Sequence, residues 1–204
     1  LALIATALHV IVLYQGFFTP EGINFGFYNS VSLLSWLIAL FLVIASYSKP
    51  VENLGIIIFP LAVLAISLEL VFPSEHFLSP ENVTILEAHI LISIIAYSFL
   101  SIAAVQAILL AIQDKHLHNK RPGGFIRALP PLQTMETLMF QMIGMGFILQ
   151  SFSLISGFIF LEDMFEQHLA HKTILSIGAW IIFAILLWGR WSFGWRGKVA
   201  IRWT

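Results

Sequence analysis

The stretch Pro130–Arg190 reads PPLQTMETLMFQMIGMGFILQSFSLISGFIFLEDMFEQHLAHKTILSIGAWIIFAILLWGR. Two long apolar runs flank one short polar insert, Leu161 to His171. Each run has about the 20 residues that a helix needs to cross the hydrocarbon of a bilayer. The insert is acidic on one side and carries His168 and His171. The pattern is a hairpin of membrane helices with two histidines just outside the hydrocarbon.

The whole chain extends that pattern. Of its 204 residues 59% are hydrophobic and 10% charged, with a mean hydropathy of +0.92. A soluble domain carries roughly a quarter charged residues, so this chain lacks the charge to cover a water-facing surface and is expected to be a polytopic membrane protein. A net charge of −1 provides no global field for nucleic acid or an acidic substrate. The absence of cysteine excludes disulfides and thiolate metal sites.

In order, the apolar runs are Leu1–Phe18, Tyr28–Tyr47, Leu54–Phe72, Val83–Ile112, Met135–Phe160 and Lys172–Arg190. Thr19-Pro20-Glu21-Gly22, Lys49-Pro50, Pro73 and Pro130-Pro131 separate them, as residues that stop helices do. Pro60 inside the third predicts a kink. The fourth is the longest and is expected to tilt or to extend past the membrane. Strand-type alternation is missing, which argues against a barrel. The fold class expected is therefore an all-α, polytopic transmembrane bundle, a single integral membrane domain over 1–204 with six helices visible and eight in an intact chain. If the six runs alternate, Lys49, Lys115, Lys120, Arg121, Arg127, Arg190, Arg196, Lys198 and Arg202 fall on one side and only Lys172 on the other. That asymmetry predicts a cytoplasmic Gln113–Gln133 loop and C-terminal tail, and an outer insert Leu161–His171.

Histidine is the residue type with the most chemistry here. His116 and His118 fall in the basic loop and His76 in a polar loop, where solvation accounts for them. His9 sits within the first helix. A polar ring at that depth faces a bundle interior or a pathway, and a hydrogen bond to a serine of a neighbouring helix accounts for it as well as a ligand role does. His89 lies about two turns into the fourth run, where a neutral imidazole could serve as an axial haem ligand or simply meet headgroups. In the insert, Leu161, Met164, Phe165, His168 and Leu169 recur at helical spacing, with Glu162, Asp163, Glu166 and Gln167 opposite. A short helix lying flat on the outer surface fits, and by itself it is an amphipathic connector. Glu69, close to Pro73, is expected to reach the interface and to relay no protons. Gly144, Gly146, Ser153, Ser156 and Gly157 are small residues at spacings that let helices approach. No nucleophile elbow, phosphate loop or zincin motif is present, so no enzyme is expected.

Several stretches together resemble the cytochrome c assembly family, the CcsA/CcmC/HemX group, and most closely its YpjD-like inner-membrane branch. LPPLQTMETLMFQMIGMGF (Leu129–Phe147) resembles the segment leading into the family's core hairpin, with FSLISGF (Phe152–Phe158) and KTILSIGAWIIFAILLWGR (Lys172–Arg190) as its two helices. GWRGKVAIRW (Gly194–Trp203) resembles the basic turn after it. FYNSVSLLSW (Phe27–Trp36) and AHILISIIAYSFL (Ala88–Leu100) resemble two upstream helices. The resemblance implies a multi-pass protein of the bacterial inner membrane that binds or handles haem in cytochrome c assembly or haem homeostasis. Lipid and other membrane proteins of a biogenesis complex would be its partners, with no nucleic acid. By position it makes His89 the family's first outer haem-ligand histidine and His9 its first within-membrane histidine. The family's tryptophan-rich WGxxWxWDPKE segment is replaced here by LEDMFEQHLAHK, and Trp188 stands at its second within-membrane histidine. His171 as a substitute iron ligand follows from its place in the insert, not from the family. The alternative function is a cofactor-free accessory or regulatory subunit that keeps the fold. A small-solute transporter has less support, because paired broken helices are lacking.

Overall fold

The computed structural model describes residues 1–20, 22–49, 51–74, 76–77, 83–119, 129–160 and 167–195. The helices are α1 (Ala2–Phe17), α2 (Phe27–Ser46), α3 (Gly55–Val71), α4 (Val83–His118), α5 (Leu132–Phe160) and α6 (Gln167–Phe193). A two-residue ladder, β1 (Phe18–Thr19) with β2 (Gly22–Ile23), turns the chain between α1 and α2. The architecture is the expected all-α membrane bundle. Five of the helices are long and apolar enough to cross a bilayer. Helix α1, at 16 residues, spans only about 24 Å against a hydrocarbon core of about 30 Å. Large apolar side chains face outward on many helices, for example Leu64, Ile174, Leu175 and Trp188. Lipid solvates such faces; water would not.

The chain forms two compact units, Leu1–Thr84 and Ile85–Thr204. In the first, α1 and α2 run antiparallel: Trp36 Nε1 donates to the Thr6 carbonyl at 2.9 Å, His9 meets Ser32, and Asn29 Nδ2 donates to the Gly16 carbonyl at 2.9 Å. The turn between them is tied to the segment after α3 through Asn24. Its Oδ1 accepts from the amides of Gly26 and His76, both at 2.9 Å, and its Nδ2 donates to the Ser74 carbonyl at 3.0 Å. Ser74 comes so close to Gly26 that any side chain there would overlap its backbone. The 3₁₀ turn Glu52–Leu54 leads directly into α3, which runs on through Pro60.

In the second unit α4, α5 and α6 follow one another as antiparallel neighbours. Ser93 and Leu100 of α4 meet Ser153 and Gly146 of α5. Between α5 and α6, Phe147 stacks on Trp180 at 5.2 Å, and Gln150 donates to the Ser176 carbonyl at 2.8 Å. Pro130 and Pro131 precede α5, where the first turn of a helix needs no N–H partners, and the Pro131 carbonyl accepts from Thr134 and Met135. At the far end Arg190 bonds Glu136 and the Trp195 carbonyl and lies 4.7 Å over the Phe140 ring.

Two expected boundaries move. The loop expected from Gln113 begins later, because α4 continues to His118 over 36 residues, about 54 Å. Its last turn carries Lys115, His116 and His118, cations that complement the negative end of a helix dipole. His116 and His118 are therefore exposed helical residues, with His116 Nδ1 at 2.9 Å from the Ile112 carbonyl. Residues 120–128 lie outside the described residues. So does the first part of the expected flat helix, 161–166, and with it Leu161, Met164 and Phe165. Its second part is not flat: Gln167 to His171 open α6 and run straight into the span. No glycine or proline separates them from Lys172, so the helix has no reason to break there.

Candidate functional site

His89 stands near the start of the membrane span of α4, half-buried. Its Nδ1 lies 2.9 Å from Ser156 Oγ on α5. The Ser156 hydroxyl donates its one proton to the Ser153 carbonyl at 2.9 Å. With that proton on Ser153, the oxygen accepts from His89, an arrangement that has the imidazole proton on Nδ1 and the Nε2 lone pair available. A second rung holds the ring's backbone: Ser93 Oγ donates to the His89 carbonyl at 2.7 Å and meets Ser153 Oγ at 2.6 Å. Ser153 and Ser156, which the sequence suggests only as small packing residues, thus hold the ring of His89 and its backbone in place. Their spacing of three beside a histidine-bearing helix is the signal that could have pointed to them.

His171 is exposed on the second turn of α6. The Tyr97 hydroxyl, eight residues after His89 on α4, meets the Ser176 hydroxyl, five residues after His171 on α6, at 2.8 Å. Helices α4 and α6 run the same way, so His89 lies about 12 Å and His171 about 7.5 Å beyond that contact, at the same end of the unit. The side chain of His168 is outside the described residues. Among the described residues no cluster of three or more histidine, aspartate or glutamate side chains could hold a metal ion. Iron held by a porphyrin needs only one or two axial protein ligands.

His9 and Glu69 belong to the first unit. His9 is 4% exposed, and its Nε2 lies 2.9 Å from Ser32 Oγ, itself fully buried. Glu69, expected at the interface, is 6% exposed. The correction has a geometric cause. Gly16 leaves the surface of α1 open, and the Glu69 carboxyl occupies the space a side chain there would fill, beside Asn29. The Ser32 hydroxyl is its polar neighbour, and among the described residues neither carboxyl oxygen has a hydrogen-bond partner within bonding distance.

The family model for cytochrome c assembly proteins matches residues 1–204. The chain belongs to the cytochrome c assembly protein family. Among its relatives in this family, the "Inner membrane protein YpjD" of Escherichia coli K12 is 32% identical over 200 residues, which are 97% of this chain and 75% of that protein. An "Uncharacterized 28.8 kDa protein in nifR3-like 5'region" of Azospirillum brasilense is 29% identical over 57% of this chain and 44% of its own length. The "Cytochrome c biogenesis protein CcsA" of Chlamydomonas reinhardtii is 28% identical over 54% of this chain and 31% of its own length. No solved structure matches the chain.

Proposed function

We propose that this cytochrome c assembly family member binds or handles haem in the bacterial inner membrane, in cytochrome c assembly or haem homeostasis, and is not an enzyme in its own right. The observation that carries the proposal is His89. A histidine that ligates metal through one ring nitrogen ordinarily gives the N–H of the other to a fixed partner, and Ser156 is that partner here. The donor chemistry therefore fits a protein ligand to haem iron. His89 would hold the iron through Nε2, and His171, at the same end of the unit, would be the second ligand. The bound group would supply the redox-active iron; the chain's own residues hold the imidazole neutral and oriented. His9, packed against Ser32, is not used as a ligand in this proposal. The relatives named for the inner membrane and for cytochrome c biogenesis support the location and the process. Lipid and further membrane proteins of a biogenesis complex would be the partners.

The test is the Soret band of the full chain extracted from membranes and supplied with saturating haem. We expect a band in the parent protein, its loss in His89→Ala, and weaker haem affinity in Ser156→Ala, by about 10–100-fold as for other residues that orient a metal ligand. Loss in His171→Ala would establish the second ligand. No band in the parent protein, or an unchanged one in His89→Ala, would reject the site in favour of a cofactor-free accessory subunit.

A further inference from the structure

The Glu69 carboxyl has no part in the haem proposal, and its surroundings are unusual. It is 6% exposed, both oxygens are buried, and neither has a hydrogen-bond partner among the described residues. It lies among three helices: over Gly16 of α1, beside Asn29 of α2, and next to the Ser32 hydroxyl. An ionised carboxylate in such a place requires a cation or several donors, because burying an uncompensated charge is far more costly than burying a neutral acid. Among the described residues of this unit neither is supplied. Helices α1, α2 and α3 contain no lysine or arginine, and His9 is the one basic side chain on them. The His9 nitrogen nearest the cluster, Nε2, already meets Ser32. The amide of Asn29 is spent on the Gly16 and Asn24 carbonyls, at 2.9 and 3.3 Å. The other titratable groups of these helices are the phenols Tyr14 and Tyr28, which supply no positive charge.

We infer that Glu69 is a proton-binding site, its carboxyl held as the neutral acid between α1, α2 and α3 with the Ser32 hydroxyl as the acceptor within its reach. A carboxylic acid has one O–H to donate, and Ser32 can accept it while giving its own proton to His9 Nε2. One chain of donors then runs from α3 through α2 to α1. Gly16 is part of the site, because a methyl group at that position would take the space of the carboxyl oxygen. A polar group at membrane depth that faces the bundle interior marks a functional path more often than a packing role. Gain or loss of this one proton would change the packing of three helices at once.

Infrared spectroscopy of the full chain in lipid nanodiscs, prepared without haem, tests this independently of the haem site. At neutral pH we expect the carbonyl stretch of a protonated carboxyl group, absent from Glu69→Gln and shifted in frequency in Ser32→Ala and Gly16→Ala. Glu136→Gln, which removes an ion-paired carboxylate, should leave the band unchanged. Circular dichroism establishes that each variant is folded. A folded parent protein with no such band at neutral pH, or a band that survives in Glu69→Gln, would overturn the inference. If Glu69→Gln fails to fold, a missing band in the folded parent protein still overturns the inference, and a frequency shift in folded Ser32→Ala or Gly16→Ala still assigns the band to Glu69.

Discussion

Gly146→Ala is a measurement of how closely α4 and α5 pack. A β-carbon at Gly146 would sit 2.7 Å from both Cγ and Cδ2 of Leu100 and 3.3 Å from the Ala96 carbonyl oxygen. Carbon atoms in contact prefer about 3.5–4.0 Å, so Leu100 or α4 itself must retreat by about 1 Å. Leu100 is buried, and its Cγ is the branch point of the side chain, which cannot swing aside as a chain end can. Overpacking of this kind costs about 1–3 kcal/mol. The same substitution two residues earlier is the reference, because nothing lies within 4 Å of a β-carbon at Gly144. Both glycines are interior to α5, so the gain of about 1 kcal/mol from replacing a helical glycine by alanine is common to both variants and cancels. Gly146→Ala should therefore be less stable than Gly144→Ala by about 1–3 kcal/mol, a factor of about 5 to 150 in the unfolding equilibrium. The assay is denaturation in mixed micelles with increasing anionic detergent, followed by circular dichroism. Shortening the obstructing side chain in Gly146→Ala/Leu100→Ala should recover part of the loss as a favourable coupling energy. A Gly146→Ala variant as stable as Gly144→Ala, with no coupling to Leu100, would refute the close approach of α4 and α5 at this level.

Two further outcomes are expected, one from a named contact and one from the cation asymmetry. Removing the charge in Arg190→Gln takes the ion-pair partner from the half-buried Glu136 and a charged donor from the Trp195 carbonyl, at a cost of roughly 1–3 kcal/mol; a double-mutant cycle with Glu136→Gln should return a positive coupling, and strict additivity would show that the pair contributes nothing. A cysteine at Asn119, on this cysteine-free background, should react with impermeant reagents only after cells are opened, since the cation asymmetry predicts that end of α4 in the cytoplasm. Labelling from outside sealed cells would reverse the proposed topology.

What the sequence determined by itself is the type, order and spacing of the helices. Long apolar runs punctuated by Pro20, Pro50, Pro73, Pro130 and Pro131 have few alternatives to helices, because a backbone in hydrocarbon must satisfy its own hydrogen bonds. The motifs of the core hairpin were enough to place the family. Boundaries in polar stretches were less legible: at His118 and Gln167 the helices simply continue where hydropathy falls, since water-solvated helix ends need no apolar residues. What only the tertiary structure decided is which way each helix faces. In water, a stripe of apolar residues marks the buried side; in a bilayer, lipid is as apolar as the core, and that signal disappears. Hence Gly144 and Gly146 look alike in the chain, yet one faces open space and the other touches Leu100. Hence Glu69, one turn from Pro73, reads from the sequence as an interface residue, and only Gly16 on another helix, which makes room for it, places it inside. The setting of the His89 ring is of the same kind. It depends on Ser156, 67 residues away, and no local pattern around His89 encodes that.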